Sequence, residues 1–254
     1  MRQISRSSSC RLRSAILCIG LIALLGACDA GIRQYAASPE GDIDFLTEDA
    51  AGRFTAGAEI RRRSGFFDSG LEGISFVRVD GRPAVRLSTP GNGGVIGLLT
   101  NQPLLATPYA AWQWRLTSTL GEADWLAMRN RGETDHPARV LIGFRLNGSG
   151  SNITPGYLGD ELPPHDRAIT IVWSTLSSPP GRIDRRGPYG RLTLRQGVGG
   201  FDQWQEENID LSNIYREIWP EDNLSQVNIA FLAVATRASG LVTESVIDGL
   251  RVYR

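Results

Sequence analysis

The chain has 254 residues, with 27 basic and 27 acidic side chains and a formal net charge of zero, so it lacks the basic footprint of a nucleic-acid-binding protein. Lysine is absent and every basic residue is arginine, which excludes a Schiff base or a lysine general base. Two histidines cannot build a three-histidine zinc centre, and no HExxH motif occurs.

Residues 1–27 carry Arg2, Arg6, Arg11 and Arg13 ahead of an apolar run from Ala15 to Leu25. A basic start, a short apolar run and small residues at its end form a secretory leader. The run is well short of the ~20 residues needed to span a bilayer. The junction Leu25-Gly26-Ala27-Cys28 resembles the lipobox of bacterial lipoproteins, in which the cysteine is acylated and becomes the new N-terminus; an ordinary signal peptide is the alternative. Each buried methylene adds ~0.8 kcal/mol, and more than one acyl chain anchors stably, so lipidation of Cys28 would hold the chain on a membrane. Asp29 resembles the signal that retains some lipoproteins at the inner membrane. The expected address is therefore the cell envelope, on the periplasmic side of the inner membrane in preference to the outer membrane. Loss of the leader would leave Cys28 as the sole cysteine. No disulfide could then form within the chain, and the body must stand on its hydrophobic core.

Residues 28–42 include AGIRQYAASPEGD, small and polar with one proline, and read as a tether. Residues 43–254 read as one domain. ISFVRV and PAVRLS flank Asp80-Gly81, a dipeptide suited to a tight hairpin. GVIGLLT, AAWQWRLT, ARVLIGFRL, AITIVWS and RLTLRQG follow, separated by Gly, Pro, Asn and Ser, with GEADWLAMRNRG read as a connection in which Trp125 sits in a loop. LSNIYREIW can form a short helix, with Ser212 as a candidate cap and Pro220 as its stop. QVNIAFLAVAT and ESVIDGLRVYR return to strand. The expectation is a mostly β protein: a single jelly-roll-like β-sandwich with one short helix near the C-terminus.

Alternation sorts the faces of two strands. Val140, Ile142, Phe144 and Leu146 form a core face, with Arg139, Leu141, Gly143 and Arg145 opposite; Trp112, Trp114 and Leu116 oppose Gln113 and Arg115. If the two strands share a sheet, Gln113, Arg115, Arg139 and Arg145 line one polar face. Asp135 and His136 lead into the second strand. Neighbours in an extended segment point to opposite sides, so they are poorly placed as a dyad, and Pro137 gives them a structural role as a stiff lead-in.

No G-x-S-x-G elbow, phosphate loop or transition-metal spacing is present, and no cofactor is expected. Asn147, Asn152, Asp160 and Glu161 offer oxygen ligands for calcium, or else simple loop polarity. The pairs Glu206-Glu207, Glu221-Asp222 and Asp160-Glu161 are sequence neighbours, which rarely supply the two opposed acids of glycoside hydrolysis. Trp112, Trp114, Trp125, Trp173, Trp204 and Trp219 either fill a core or stack on sugar rings.

The Trp112-x-Trp114 strand, the segment DHPARV, the VWS strand with Trp173, the run RQGVGGFDQWQEENIDL with Gly197, Trp204 and Glu207, and the closing VIDGLRVY together resemble the bacterial domain-of-unknown-function family 3047. The resemblance carries over Asp135, Pro137, Ala138 and Arg139, while His136 stands where an acid is often found. ATRASG, residues 235–240, departs from the Asp- and Asn-rich turn of that pattern. The resemblance implies a β-sandwich in an envelope setting and supplies no reaction. It draws attention to Arg139, whose planar fork suits a buried carboxylate such as Asp135 or Glu207, or an anionic ligand. The leading expectation is non-enzymatic binding of a glycan or another envelope component. The alternatives are a carbohydrate-active enzyme using carboxylates, with His136 or Tyr189 carrying protons, and a scaffold docking a protein partner. The candidate residues are Arg139, Asp135, His136, Arg115, Gln113, Arg145 and Glu207, with Cys28 for lipidation.

Overall fold

A computed structural model describes residues 43–44, 66–69, 73–88, 93–116, 121–133, 135–148, 162–174, 178–197, 199–237 and 242–254. They all belong to one compact unit, Gln34–Arg254. The leader, Cys28, Asn152, Asp160 and Glu161 lie outside the described residues.

The strands in chain order are β1 (Ile43–Asp44), β2 (Phe66–Ser69), β3 (Ile74–Val79), β4 (Arg82–Ser88), β5 (Gly93–Pro103), β6 (Tyr109–Leu116), β7 (Asp135–Leu146), β8 (Arg167–Ser174), β9 (Ile183–Arg186), β10 (Tyr189–Gln196), β11 (Gln205–Asp210), β12 (Val227–Arg237) and β13 (Glu244–Tyr253). Helix α1 (Glu122–Asn130) lies between β6 and β7, and α2 (Leu211–Ile218) follows β11. One sheet runs β11-β6-β13-β4-β3, with β1 on β13; the other runs β2-β5-β12-β7-β8-β10-β9. Pairing is antiparallel except between β8 and β10, which are parallel. Two packed sheets with few helices make the expected mostly β sandwich.

Alternation explains why the sheets stack. Trp112, Trp114 and Leu116 of β6 are buried in the same core as Val140, Ile142 and Phe144 of β7 and Ile169, Ile171 and Trp173 of β8. The Trp114 and Trp173 rings, one from each sheet, lie 5.8 Å apart. Trp112, Trp114, Trp173 and Trp219 are all essentially inaccessible, so these four belong to the core. Each indole removes a large apolar area from water, consistent with a domain that relies on burial. The β3–β4 hairpin turns through Asp80 and Gly81 at φ 53° and 78°, the left-handed geometry that makes Asp-Gly a tight-turn signal.

Two local expectations need correction. Trp125 lies within α1, not in a loop. The start of that helix is held by the Asp124 carboxylate, which accepts from the Gly121 N–H at 2.9 Å, and Gly132 at φ 79° ends it. In α2 the cap is Asp210, whose carboxylate accepts from Asn213 N–H at 2.8 Å; Ser212 donates its hydroxyl to the same carboxylate. Leu211, Tyr215 and Ile218 form the buried face of α2. Gly190 of β10 admits the helix, because a Cβ there would meet Ile218 Cδ1 at 2.7 Å.

Candidate functional site

The outer face of the seven-stranded sheet, turned away from the other sheet, is built in rows across the strands. Register places Phe67, Gly97, Ala233, Leu141, Thr170, Arg191 and Asp184 in line across all seven strands. A neighbouring row runs Val95, Ala235, Arg139, Val172, Thr193. The end near β2 is apolar: Phe67, Val95, Leu141, Phe231 and Leu162 form a second, smaller hydrophobic cluster. Phe231 lies over Gly143, where any Cβ would collide with its ring at 2.0 Å. The end near β9 is polar and holds a cavity of about 680 Å³.

Six arginines border that cavity, Arg139, Arg182, Arg185, Arg186, Arg191 and Arg237, with Asp135 and Asp184 as its acids. Arg191 organises the floor. Its guanidinium donates to both oxygens of Asp135, through Nη2 to Oδ1 and through Nε to Oδ2 at 3.1 Å. Its Nη1 reaches Asp184 Oδ2 at 3.1 Å and Thr193 Oγ1 at 3.0 Å. Burial works against the Arg191 charge, but the hydrogen bond and charge of Asp135, aided by Asp184, outweigh it and raise its pKa. Arg182 donates from Nε to Asp184 at 2.9 Å. Arg185 donates to the carboxylate of Glu221 and to the Ile218 carbonyl at 3.0 Å. Arg237 Nη2 donates to the Asp135 carbonyl at 2.7 Å.

His136 borders the same cavity as Asp135. The register shifts between Asp135 and Arg139, yet the pair divides as alternation expects: the Asp135 carboxylate meets Arg191 on the outer face, and the His136 ring lies 6.3 Å from that of Phe201, a residue of the core between the sheets. The His136 ring is buried, and its Nδ1 accepts from Ala138 N–H at 3.1 Å. Burial first, and then the Arg237 charge, push its pKa down to about 3, so the ring is neutral at ordinary pH. Tyr189 also borders the cavity, and burial raises its phenol pKa.

Of the residues singled out by sequence, Asp135, His136 and Arg139 come together here. The polar face expected of Gln113, Arg115, Arg139 and Arg145 does not exist as one surface. Gln113 and Arg115 lie on β6, in the six-stranded sheet, where Gln113 accepts from Arg82 at 2.7 Å and Arg115 pairs with Asp202 at 3.0 Å. Arg139 and Arg145 lie on β7 in the other sheet, with Arg145 donating to the Pro164 carbonyl at 3.1 Å. Glu207 sits between the sheets, accepting from Arg195 and from Trp114 Nε1 at 2.8 Å, with the Arg195 guanidinium 5.6 Å from the Trp173 ring centre. The two carboxylates considered for Arg139 are thus held by Arg191 and Arg195. Sequence reasoning missed Arg182, Asp184, Arg185, Arg186, Arg191 and Arg237. The crowding of four of these arginines into GRIDRRGPYGR, around the Gly187 turn at φ 58°, was the available signal.

Among the described residues no group of three or more His, Cys, Asp or Glu side chains could hold a metal ion.

The fold and site define a two-sheet jelly-roll β-sandwich whose larger sheet carries an arginine-walled cavity on its outer face. The family described as protein of unknown function (DUF3047) matches residues 70–248. The chain belongs to that family. No curated protein matches the sequence at a significant level. Similar solved structures include Trichoderma harzianum endoglucanase 3 from family GH12, at 8% identity and TM-score 0.40 over 75% of this chain and 90% of that one. A family 12 xyloglucanase from Bacillus licheniformis gives 12% identity and TM-score 0.40 over 77% and 89%. The family 11 carbohydrate-binding module of Clostridium thermocellum Lic26A-Cel5E gives 10% identity and TM-score 0.35 over 74% and 87%. At this level of similarity none of them bears on what this chain binds.

Proposed function

We propose that the protein is a lipid-anchored, non-enzymatic recognition domain of the cell envelope, holding a glycan or another envelope component in the cavity beside β9 and β10. The observation that carries this reading is the cavity itself: about 680 Å³, walled by guanidinium groups and floored by the outer face of the sheet. Such a wall offers many fixed donors at small entropic cost, because ion pairs already orient Arg182, Arg185 and Arg191. Binding is favoured over hydrolysis by the placement of the acids. Asp135 and Asp184 both accept from Arg191, so neither stands apart as the separate proton donor that glycoside cleavage requires. Glu207 is outside the cavity and engaged by Arg195. His136 is neutral and remains so down to about pH 3, which removes it as a cationic acid.

Anchoring through Cys28 and residence on the periplasmic side of the inner membrane are part of the same proposal and rest on the leader and Asp29. The test is a glycan-array and envelope-fraction binding screen with the full chain in mild detergent, run beside Arg139→Gln. Specific binding that the folded variant loses supports recognition at this cavity. Failure to bind any glycan or envelope fraction would sink it.

A further inference from the structure

The connection 104–108 between β5 and β6 crosses from the seven-stranded to the six-stranded sheet at one end of the sandwich. Leu104 is buried, and its N–H donates to the Val227 carbonyl at 2.9 Å. This fixes the connection at the end where β7 and β12 pair through Leu146 and Val227. Leu105 is left 53% exposed, and Tyr109, the first residue of β6, is 40% exposed. Tyr253 of β13 lies opposite Tyr109 in register, with ring centroids 5.6 Å apart, and its hydroxyl donates to Asn208 at 2.7 Å. One end of the molecule thus carries an exposed leucine and a pair of tyrosines, apolar bodies with polar tips of the kind that settle where a protein meets the interface of bilayer and water.

Strand β1 enters the fold at this same end. It runs antiparallel to β13, with Ile43 opposite Val252, so its direction brings the chain in from the side of Tyr253. Residues 28–42 connect the cysteine of the anchoring proposal to β1, and even fully extended they span at most about 50 Å. β7, with 12 residues, runs about 40 Å along the sandwich. The exposed Leu126 and Val242 stand at the opposite end, after β6 and before β13, and bringing them to the bilayer would take nearly the whole reach of the tether. The near end needs little of it. A tether also raises the effective concentration of the patch at the membrane, so few apolar side chains suffice. Resting on the anchoring at Cys28 proposed above, we propose that the end bearing Leu105, Tyr109 and Tyr253 rests on the surface of the lipid bilayer that holds the anchor. Asp135 of β7 and Arg237 of β12 then stand at the ends of their strands away from the lipid, which turns that side of the cavity toward the envelope space.

The experiment reconstitutes the full chain, purified from membranes, into vesicles of phosphatidylethanolamine and phosphatidylglycerol, with a nitrobenzoxadiazole fluorophore on one introduced cysteine. Ala106→Cys places the fluorophore in the exposed connection next to Leu105 and leaves the patch intact, and Leu126→Cys places it at the far end. Lipid spin-labelled near the headgroup quenches only a fluorophore that lies at the bilayer. The expected result is quenching at Ala106→Cys at least about twofold stronger than at Leu126→Cys, a difference lost when Leu105→Glu and Tyr109→Glu put charge into the patch. Leu105→Cys and Val242→Cys repeat the comparison should either first variant fold poorly. Equal quenching at the two ends, or none at either, would overturn the docking while leaving the anchor standing. A fluorophore at Ala106→Cys that is shielded from iodide in the water yet untouched by the lipid quencher would mean that a second copy or another protein covers this end, and would overturn it as well. Uptake of the fluorophore by the chain without an introduced cysteine would show that Cys28 is not acylated, and the anchoring reading and this proposal would fall together.

Discussion

Arg191 of β10 donates to both carboxylate oxygens of Asp135 at the start of β7, two strands away. The pair ties the first residue of β7 to a strand with which β7 is not paired in the sheet, and the Asp135 carbonyl in turn accepts from Arg237. Asp135 is 11% exposed at its side chain and Arg191 26%, so removing one partner strands the other in a partly dry site. Asp135→Asn should cost roughly 2–4 kcal/mol, between the values for exposed and fully buried pairs. Urea denaturation of Asp135→Asn, Arg191→Gln and the double variant checks it. Additive losses would mean that the two residues are not coupled.

Glu207 provides a separate test of the site assignment. It clips β11 of one sheet to Arg195 of the other and accepts from Trp114. Glu207→Ala should therefore destabilise the sandwich by roughly 3 kcal/mol, since it leaves the Arg195 guanidinium and an indole N–H without their acceptor. Glu207→Gln should cost less, because its carbonyl still accepts from Trp114. Tryptophan fluorescence should report both changes through Trp114 and Trp173. Cavity binding by the folded Glu207→Gln protein should match the wild type, and a selective loss of binding without loss of stability would contradict the placement of Glu207 outside the site.

The inward rows of β6 and β7 were legible because alternation alone decides which residues of one strand share a side: Trp112 with Trp114, Val140 with Ile142 and Phe144. Alternation does not decide which sheet a strand joins. That choice depends on long-range partners, β13 and β11 for β6, β12 and β8 for β7, and so Gln113 and Arg115 were expected on a surface they do not share with Arg139. Helix α1 escaped because its N-cap, Gly121, has no side chain to signal a start and its first turn is held by Asp124 reaching back. Half of the cavity was unreadable for the same long-range reason. Arg237 and Arg191 are far apart in sequence, and only the order β12-β7-β8-β10 brings them to one wall.

The lipobox reading predicts a clean separation of anchoring from folding. Cys28→Ser should abolish labelling by a fatty-acid probe and move the protein from the membrane to the soluble fraction, while the thermal unfolding of the body stays the same. One acyl chain anchors only marginally, whereas several hold stably, so the wild type should require detergent for extraction and resist high salt. Membrane retention of the unlabelled Cys28→Ser protein would count against lipid anchoring.

His136 makes stability depend on pH in a direction that follows from its burial. In the unfolded chain its imidazole titrates near 6.5, and in the folded chain burial and Arg237 lower that to about 3. Between those values the unfolded chain binds a proton that the folded chain refuses, so stability is fully present above pH 6.5 and declines as the pH falls towards 3. The limiting slope is about 1.4 kcal/mol per pH unit for one such group. His165, whose pKa is lowered chiefly by burial with Arg145 adding to it against the opposing Pro163 carbonyl and Asp166, contributes in the same direction. His136→Gln should therefore flatten, without abolishing, the fall in thermal midpoint between pH 6.5 and pH 4, even if it lowers the midpoint at neutral pH by removing the acceptor for Ala138 N–H. Parallel midpoint-against-pH curves for wild type and His136→Gln would show that His136 does not titrate on unfolding, and with it would go the neutral, buried imidazole.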